Sequence, residues 1–225
     1  MDSKRPKYLS SFGRRQMRGL RGTQAERMET LLPKIQITLP EEGEVKLPNK
    51  PVWLEIGYGA GEHMAGQAKA NPNVHYIGCE VFTNGIAAAL GHIEKHDLKN
   101  VQLFIDDARL LLEKLPDACL ERVYILFPDP WPKKKHNKRR IVNEATLEIL
   151  HRVMKPGARL RLATDDKQYA IWILVKMMEQ QTEGRFRWLA ESAKDWYPAP
   201  KDHLTTRYEA KAIRGQPVFL DFTRV

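Results

Sequence analysis

From residue 51 onward, short runs of apolar and β-branched residues alternate with longer stretches whose apolar positions recur at helical spacing. Val52-Trp53-Leu54-Glu55-Ile56 predicts a first strand, closed by glycines, and residues 62–69 predict the helix behind it. Residues 75–79, 101–105, 122–127 and 159–163 predict four more strands, the second followed by an Ala-rich helix over 85–95 and the last preceded by a turn at Lys155-Pro156-Gly157. A helix over 168–179 places Ile171, Leu174, Val175 and Met178 at helical spacing, which predicts core packing for all four. Two last runs, 185–190 and 217–224, suit an antiparallel, hairpin-like sheet edge. The repeated strand–helix alternation predicts an α/β fold with a doubly wound, mostly parallel sheet and an antiparallel C-terminal strand.

At 225 residues and 26.0 kDa, the chain is long enough for one well-buried core and short for two. Charge changes the picture more. Lys and Arg number 37 against 28 acids, a net of +9, and the excess is concentrated. Residues 1–22 carry seven basic side chains and one acid, and residues 133–140 carry six basic side chains and none. Those two segments hold +12 between them and leave −3 for the rest, the footprint of a surface that follows phosphates. The expected layout is a basic flexible arm over residues 1–30 and a single domain over 31–225. The longest apolar run, 169–175, is far short of a membrane span, and no apolar stretch follows the N-terminal charges. A cytoplasmic protein with no membrane association is expected. Cys79 and Cys119, far apart and without metal-type spacing, fit a reducing compartment and small core positions. Tyr8, Phe12, Trp188 and Trp196 read as packing or interface residues. His92 and His96 share a helix face without a third ligand, so no metal site is expected.

Glu55-Ile56-Gly57-Tyr58-Gly59-Ala60-Gly61 ends a strand and opens a helix, so backbone can approach a nucleotide-like ligand closely. A dinucleotide fingerprint would need its third glycine at position 62, where Glu62 stands and would repel a pyrophosphate. The spacing resembles motif I of class I methyltransferases, whose S-adenosylmethionine carries no phosphate. Glu80 ends the second strand, 23 residues after Gly57, where a carboxylate can accept both hydrogen bonds of a ribose diol. Asp106 and Asp107 end the third, where a carboxylate can meet the adenine amino group; the doublet leaves open which one does.

After the fourth strand, Phe127-Pro128-Asp129-Pro130-Trp131-Pro132 forms a stiff loop presenting a carboxylate and an indole, and the basic run follows at once. Pro128-Asp129-Pro130-Trp131, then Lys133, then His136 to Arg140, resembles the signature of bacterial tRNA (guanine-N7-)-methyltransferases. The likeness spans residues 54–222, through Lys155-Pro156-Gly157, Ala163-Thr164-Asp165 and Thr206-Arg207-Tyr208-Glu209. The resemblance implies a Rossmann-like class I methyltransferase that binds S-adenosyl-L-methionine, releases S-adenosyl-L-homocysteine and methylates tRNA at the variable-loop guanosine, tRNA position 46. It implies cofactor contacts at Glu55, Gly57, Gly59, Glu80, Asp107 and Asp129. Substrate contacts fall on Lys133, Asp165, Thr206, Arg207, Tyr208 and Glu209, and RNA contacts on Lys135, His136, Asn137, Lys138, Arg139 and Arg140. Monomer and homodimer are both compatible with it.

Guanine N7 carries a lone pair and no proton, so its methylation needs alignment and charge stabilisation but no general base. Asp129 is the expected catalytic carboxylate, with Asp165 and Glu209 beside the base. Trp131 suits either base stacking or a packed lid, and His203 either substrate contact or loop structure. Two other readings remain: methylation of an exocyclic amine, whose Asp-Pro-Pro-Tyr motif differs from the single proline before Trp131, and an RNA-binding protein on a vestigial methyltransferase fold.

Overall fold

The computed structural model describes residues 19–206, 209–211 and 215–225. Most of the basic arm, with Tyr8 and Phe12, and the two motif residues Arg207 and Tyr208 lie outside the described residues. The chain enters through α1 (Thr23–Thr30) and the single turn α2 (Leu32–Ile35). It then alternates β1 (Val52–Ile56), α3 (Glu62–Ala70), β2 (His75–Cys79), α4 (Thr83–Lys95), β3 (Val101–Phe104), α5 (Ala108–Lys114) and β4 (Leu120–Leu126). After a 3₁₀ turn over Lys134–Arg139 come α6 (Glu144–Val153), β5 (Met154–Thr164), α7 (Lys167–Thr182), β6 (Phe186–Trp188) and β7 (Val218–Arg224).

The seven strands of the described residues form one sheet in the order β3-β2-β1-β4-β5-β7-β6. Pairing is parallel from β3 across to β5, and β7 is antiparallel to both its neighbours, β5 and β6. The α/β, mostly parallel sheet with an antiparallel C-terminal strand is thus present. Parallel strands need crossovers, and the helices supply them on both faces. Side-chain alternation divides the core accordingly. Leu54, Ile56, Val123, Ile125, Leu160 and Leu162 pack on one face, and Tyr76, Tyr124, Leu126, Ala163 and Phe219 on the other. The order reverses between β1 and β4, so the loops leaving these two strands part and open a crevice between them.

Three expectations are corrected. Residues 23–30, assigned to the flexible arm by charge, form α1, which packs on α4 and ties to it through Arg27 Nη2 and Glu94 at 2.7 Å. In α7, Ile171 and Val175 are 63% and 51% exposed, while the core face is Tyr169, Ile173 and Met177, with Leu174 and Met178 only partly buried. The helix has apolar residues nearly all round, so periodicity could not pick the inward stripe. The Lys155-Pro156-Gly157 turn lies inside β5, absorbed by a register shift opposite Leu120 and Arg122, with Gly157 at φ 78°. Trp188 and Trp196 pack as expected, their rings 6.1 Å apart and Trp188 stacked on Phe222.

Candidate active site

A cavity of about 520 Å³ opens at the carboxyl edge of the sheet, a size suited to a nucleoside-sized ligand. Its wall draws on four successive strand ends: the glycine loop after β1, Glu80 after β2, Asp106 and Asp107 after β3, and Asp129 with Trp131 after β4. Gly57 and Gly59 have φ of 76° and 56°, a backbone that L side chains rarely adopt, and a Cβ at either would point into open space. Bare backbone therefore faces the cavity.

Glu80 is fixed by three backbone N–H donors: Gly59 at 2.8 Å on Oε2, and Val81 at 2.7 Å and Phe82 at 3.0 Å on Oε1. Burial pushes its carboxyl above the ordinary range, those N–H groups pull it back, and nearby Asp129 raises it again. Asp107 caps α5 by accepting Arg109 N–H at 3.0 Å, and both its oxygens meet the Arg109 guanidinium, at 2.9 and 2.6 Å. Asp106 accepts the Asp107 N–H at 2.8 Å. Both acids line the cavity, so the geometry keeps the choice between them open, and it adds Arg109, which the sequence reading missed.

The loop after β4 is held under strain. Phe127 and Trp131 have φ of 51° and 43°, a region that costs bulky residues about 1–3 kcal/mol each. Surrounding contacts impose it: Phe127 N–H donates to Ala163 O at 2.8 Å, and Arg140 Nε donates to Pro130 O at 2.8 Å. Asp129 is exposed at the crest of this loop and makes no hydrogen bond or ion pair among the described residues. Trp131 lines the cavity with the Arg139 guanidinium 5.0 Å over its ring and His136 edge-on at 5.8 Å.

The 3₁₀ turn after Lys133 displays Lys134, Lys135 and Lys138 to solvent and holds His136, Asn137 and Arg139 half-buried. Arg140 departs from the phosphate-contacting role expected of it. It is 5% exposed, its guanidinium lies 5.1 Å over Tyr169 and 4.7 Å over Trp172, and it anchors the loop.

Two further expected residues are placed differently from one another. Asp165, at the end of β5, is 8% exposed and without a side-chain partner among the described residues. Such a carboxylate is costly unless something pairs with it. Glu209 is already engaged: it accepts from His203 Nε2 at 2.8 Å and from the Thr206 N–H at 2.9 Å. Burial raises the Glu209 carboxyl, but the His203 and Thr206 donors outweigh that and hold it below the usual range. Glu55 is not in the cavity wall. It is 2% exposed behind the glycine loop and accepts from His63 Nδ1 and the Tyr76 hydroxyl, both at 2.7 Å. His63, Arg161 and Asp202 were also missed by sequence reading; the only available signal was Arg161, a charge in the middle of a central strand.

A nucleoside-sized cavity at the switch point, floored by bare glycine backbone and walled by strand-end carboxylates, on this strand order, defines a methyltransferase of the Rossmann-like class. Comparison with known proteins agrees. The family described as putative methyltransferase matches residues 49–220. Among solved structures, an antibiotic-related methyltransferase superposes with a TM-score of 0.53 at 18% identity, covering 92% of this chain and 97% of that one. The 16S rRNA (adenine(1408)-N(1))-methyltransferase from Catenulisporales acidiphilia gives 0.53 at 14% identity, over 84% and 99%. At such identities these likenesses speak for the fold alone. The sequence relatives are nearer. The tRNA (guanine-N(7)-)-methyltransferase of Hyphomonas neptunium is 49% identical over 222 residues, 95% of this chain and 99% of that protein. Its counterpart in Rhodospirillum rubrum is 40% identical over 224 residues, 95% and 87% of the two chains. The chain belongs to the tRNA (guanine-N(7)-)-methyltransferase family.

Proposed function

We propose that this chain transfers a methyl group from S-adenosylmethionine to N7 of guanosine in tRNA, at the variable-loop guanosine, tRNA position 46. The observation that carries the reading is the shared placement of a carboxylate unpaired among the described residues, Asp129, and an exposed basic turn on one strained loop at the mouth of a nucleoside-sized cavity.

The residues present fit the cofactor: Gly57 and Gly59 leave room for its backbone-side approach, and Glu80, with a lone pair of Oε2 still available, suits the ribose diol. Asp106 or Asp107 would meet adenine. When bound there, S-adenosylmethionine supplies a sulfonium methyl group that leaves to an in-line nucleophile, the C–S electrons passing to sulfur.

This chain's own residues then have to align the base and stabilise its charge. The N7 lone pair forms the new bond, the guanine ring becomes cationic, and no proton moves. Asp129 lowers the energy of that developing cation. Asp165, buried and unpartnered among the described residues, accepts from the N1–H and N2–H donors of the guanine edge. Alignment of this kind can contribute roughly 7–11 kcal/mol to barrier reduction. Lys133, Lys134, Lys135 and Lys138 hold the flanking phosphates, with Arg139 keeping Trp131 in place over the cavity.

The test is transfer of labelled methyl from S-adenosylmethionine to bulk tRNA, followed by borohydride reduction and aniline cleavage, which breaks RNA at N7-methylguanosine. Cleavage in the variable loop is expected. Incorporation without cleavage would move the methyl to another atom and overturn the reading.

A further inference from the structure

The segment that carries Thr206 and Glu209 is seated on α3, the helix that the glycine loop opens. Three consecutive residues of the segment meet one stripe of that helix. The Asp202 carbonyl accepts from Gln67 Nε2. The His203 ring lies 5.3 Å, centroid to centroid, from that of His63. A methyl of Leu204 occupies the space that any side chain at position 66 would need. Positions 63, 66 and 67 fall on one helical face, so the three contacts form a single docking surface.

Both imidazoles are buried, His63 at 1% side-chain exposure and His203 at 0%. Each is fixed by a carboxylate. His63 Nδ1–H donates to Glu55 Oε2 at 2.7 Å, and His203 Nε2–H donates to Glu209 at 2.8 and 2.9 Å. A carboxylate only accepts, so these bonds determine which ring nitrogen carries the proton. Glu209 in turn accepts the Thr206 N–H, which gives the bend of the segment its shape. The line Glu55, His63, His203, Glu209, Thr206 therefore runs from the strand before the glycine loop to the substrate motif. A second anchor sits beside it: Asp202 pairs with Arg161 Nη1 at 2.8 Å and Arg122 Nη1 at 2.9 Å.

We propose that His203 is a positioning residue for methyl transfer: docked on His63, it holds Thr206 and Glu209 in fixed relation to the glycine loop. The proposal rests on the tRNA-methylating reading above. Its physical content is that the substrate segment takes its position from the cofactor helix, through two buried imidazole–carboxylate pairs packed ring to ring. The segment's hold on the nucleotide is then set by the same helix whose first turn closes the glycine loop, and losing the His203 donor releases it.

The test uses the full-length chain, tRNA as substrate and S-adenosylhomocysteine as the cofactor-site probe. His203→Leu removes the donor to Glu209 while keeping a similar volume; a misplacement of about 1 Å predicts a kcat loss of about 100-fold. Its S-adenosylhomocysteine affinity should stay within about threefold, because no cavity-lining group changes. His203→Gln, which keeps an N–H for Glu209, should recover about tenfold of the lost kcat. A Leu variant with kcat within about threefold of wild type overturns the proposal. Should that variant fail to bind S-adenosylhomocysteine, Gly66→Ala decides. Its added Cβ meets Leu204 alone within 4 Å and touches no hydrogen-bonding group of the network, so a lowered kcat with unchanged probe affinity supports docking and an unchanged kcat overturns it. A wild-type chain that makes no N7-methylguanosine overturns the functional reading, and this inference with it. Active wild type with indifferent variants removes this inference alone.

Discussion

Arg140 Nε donates to the carbonyl of Pro130 at 2.8 Å, reaching back ten residues to brace the loop that carries Asp129 and Trp131. A buried guanidinium that joins no carboxylate among the described residues is held here by carbonyls and by the faces of Tyr169 and Trp172. That brace holds the strain at Trp131, next to Pro130, as the Phe127 N–H to Ala163 carbonyl bond holds that at Phe127. Arg140→Ala should therefore destabilise the fold by about 2 kcal/mol and lower Tm by roughly 4–8 °C. Turnover should fall with it, because Asp129 rides on the released loop. Thermal melts and single-turnover rates check both; an unchanged Tm would return Arg140 to a solvent-facing role.

Asp129→Asn keeps the size and the hydrogen-bonding reach of the side chain and removes its charge. The variant should fold as wild type and lose on the order of 10²–10³ in kcat, the magnitude associated with removing one charge-stabilising group. Retained turnover within a few-fold would mean that the cationic ring is stabilised elsewhere.

If Glu80 holds the ribose diol as proposed, cofactor binding should have an acid limb. Its carboxyl lies above the ordinary range, chiefly through burial, and the ribose diol needs the ionised form as acceptor. As pH falls, Glu80 takes up its proton earlier than an exposed glutamate would, and cofactor affinity should weaken from that point downward. For folding the sign is opposite: a raised folded pKa favours the protonated native state, so its contribution is present below the unfolded pKa and is lost as pH rises through the folded value. Calorimetry of S-adenosylhomocysteine against pH should thus show affinity falling on acidification while Tm does not suffer from Glu80. Glu80→Gln should bind about tenfold more weakly at neutral pH and lose the acid dependence. Because N7 gives up no proton, kcat at saturating cofactor should show no matching limb.

The exposed lysines of the basic turn predict a salt response. If Lys133, Lys134, Lys135 and Lys138 each neutralise one phosphate, log affinity for tRNA should fall against log salt with a slope of about −3 to −4. Lys138→Gln should reduce that slope by about one, whereas Arg140→Gln should leave it unchanged. A filter-binding titration at several salt concentrations separates the two, and equal effects would contradict the burial of Arg140.

Strand–helix alternation, the glycine loop and the acids at strand ends were legible in the chain, because each depends on local periodicity or on a turn that particular residues permit. The antiparallel C-terminal pairing was legible too, since a strand that follows β6 by a loop and rejoins the sheet has few other places to go. The sequence also drew Asp129 and the basic run onto one loop. What it could not assign was direction. Arg139 and Arg140 are neighbours of the same type, yet one lies beside the cavity and the other is buried between two aromatic rings of α7. In α7, Ile171 and Val175 satisfy the helical period as well as Ile173 and Met177 do, and only the approach of the sheet chose between them. Glu55 likewise sits in the motif strand, but strand alternation turns it away from the cavity, toward His63 and Tyr76. Local chemistry fixes which residues can act, through reach, charge and backbone freedom. Which way each one faces is a packing decision among distant segments, and only the tertiary structure makes it.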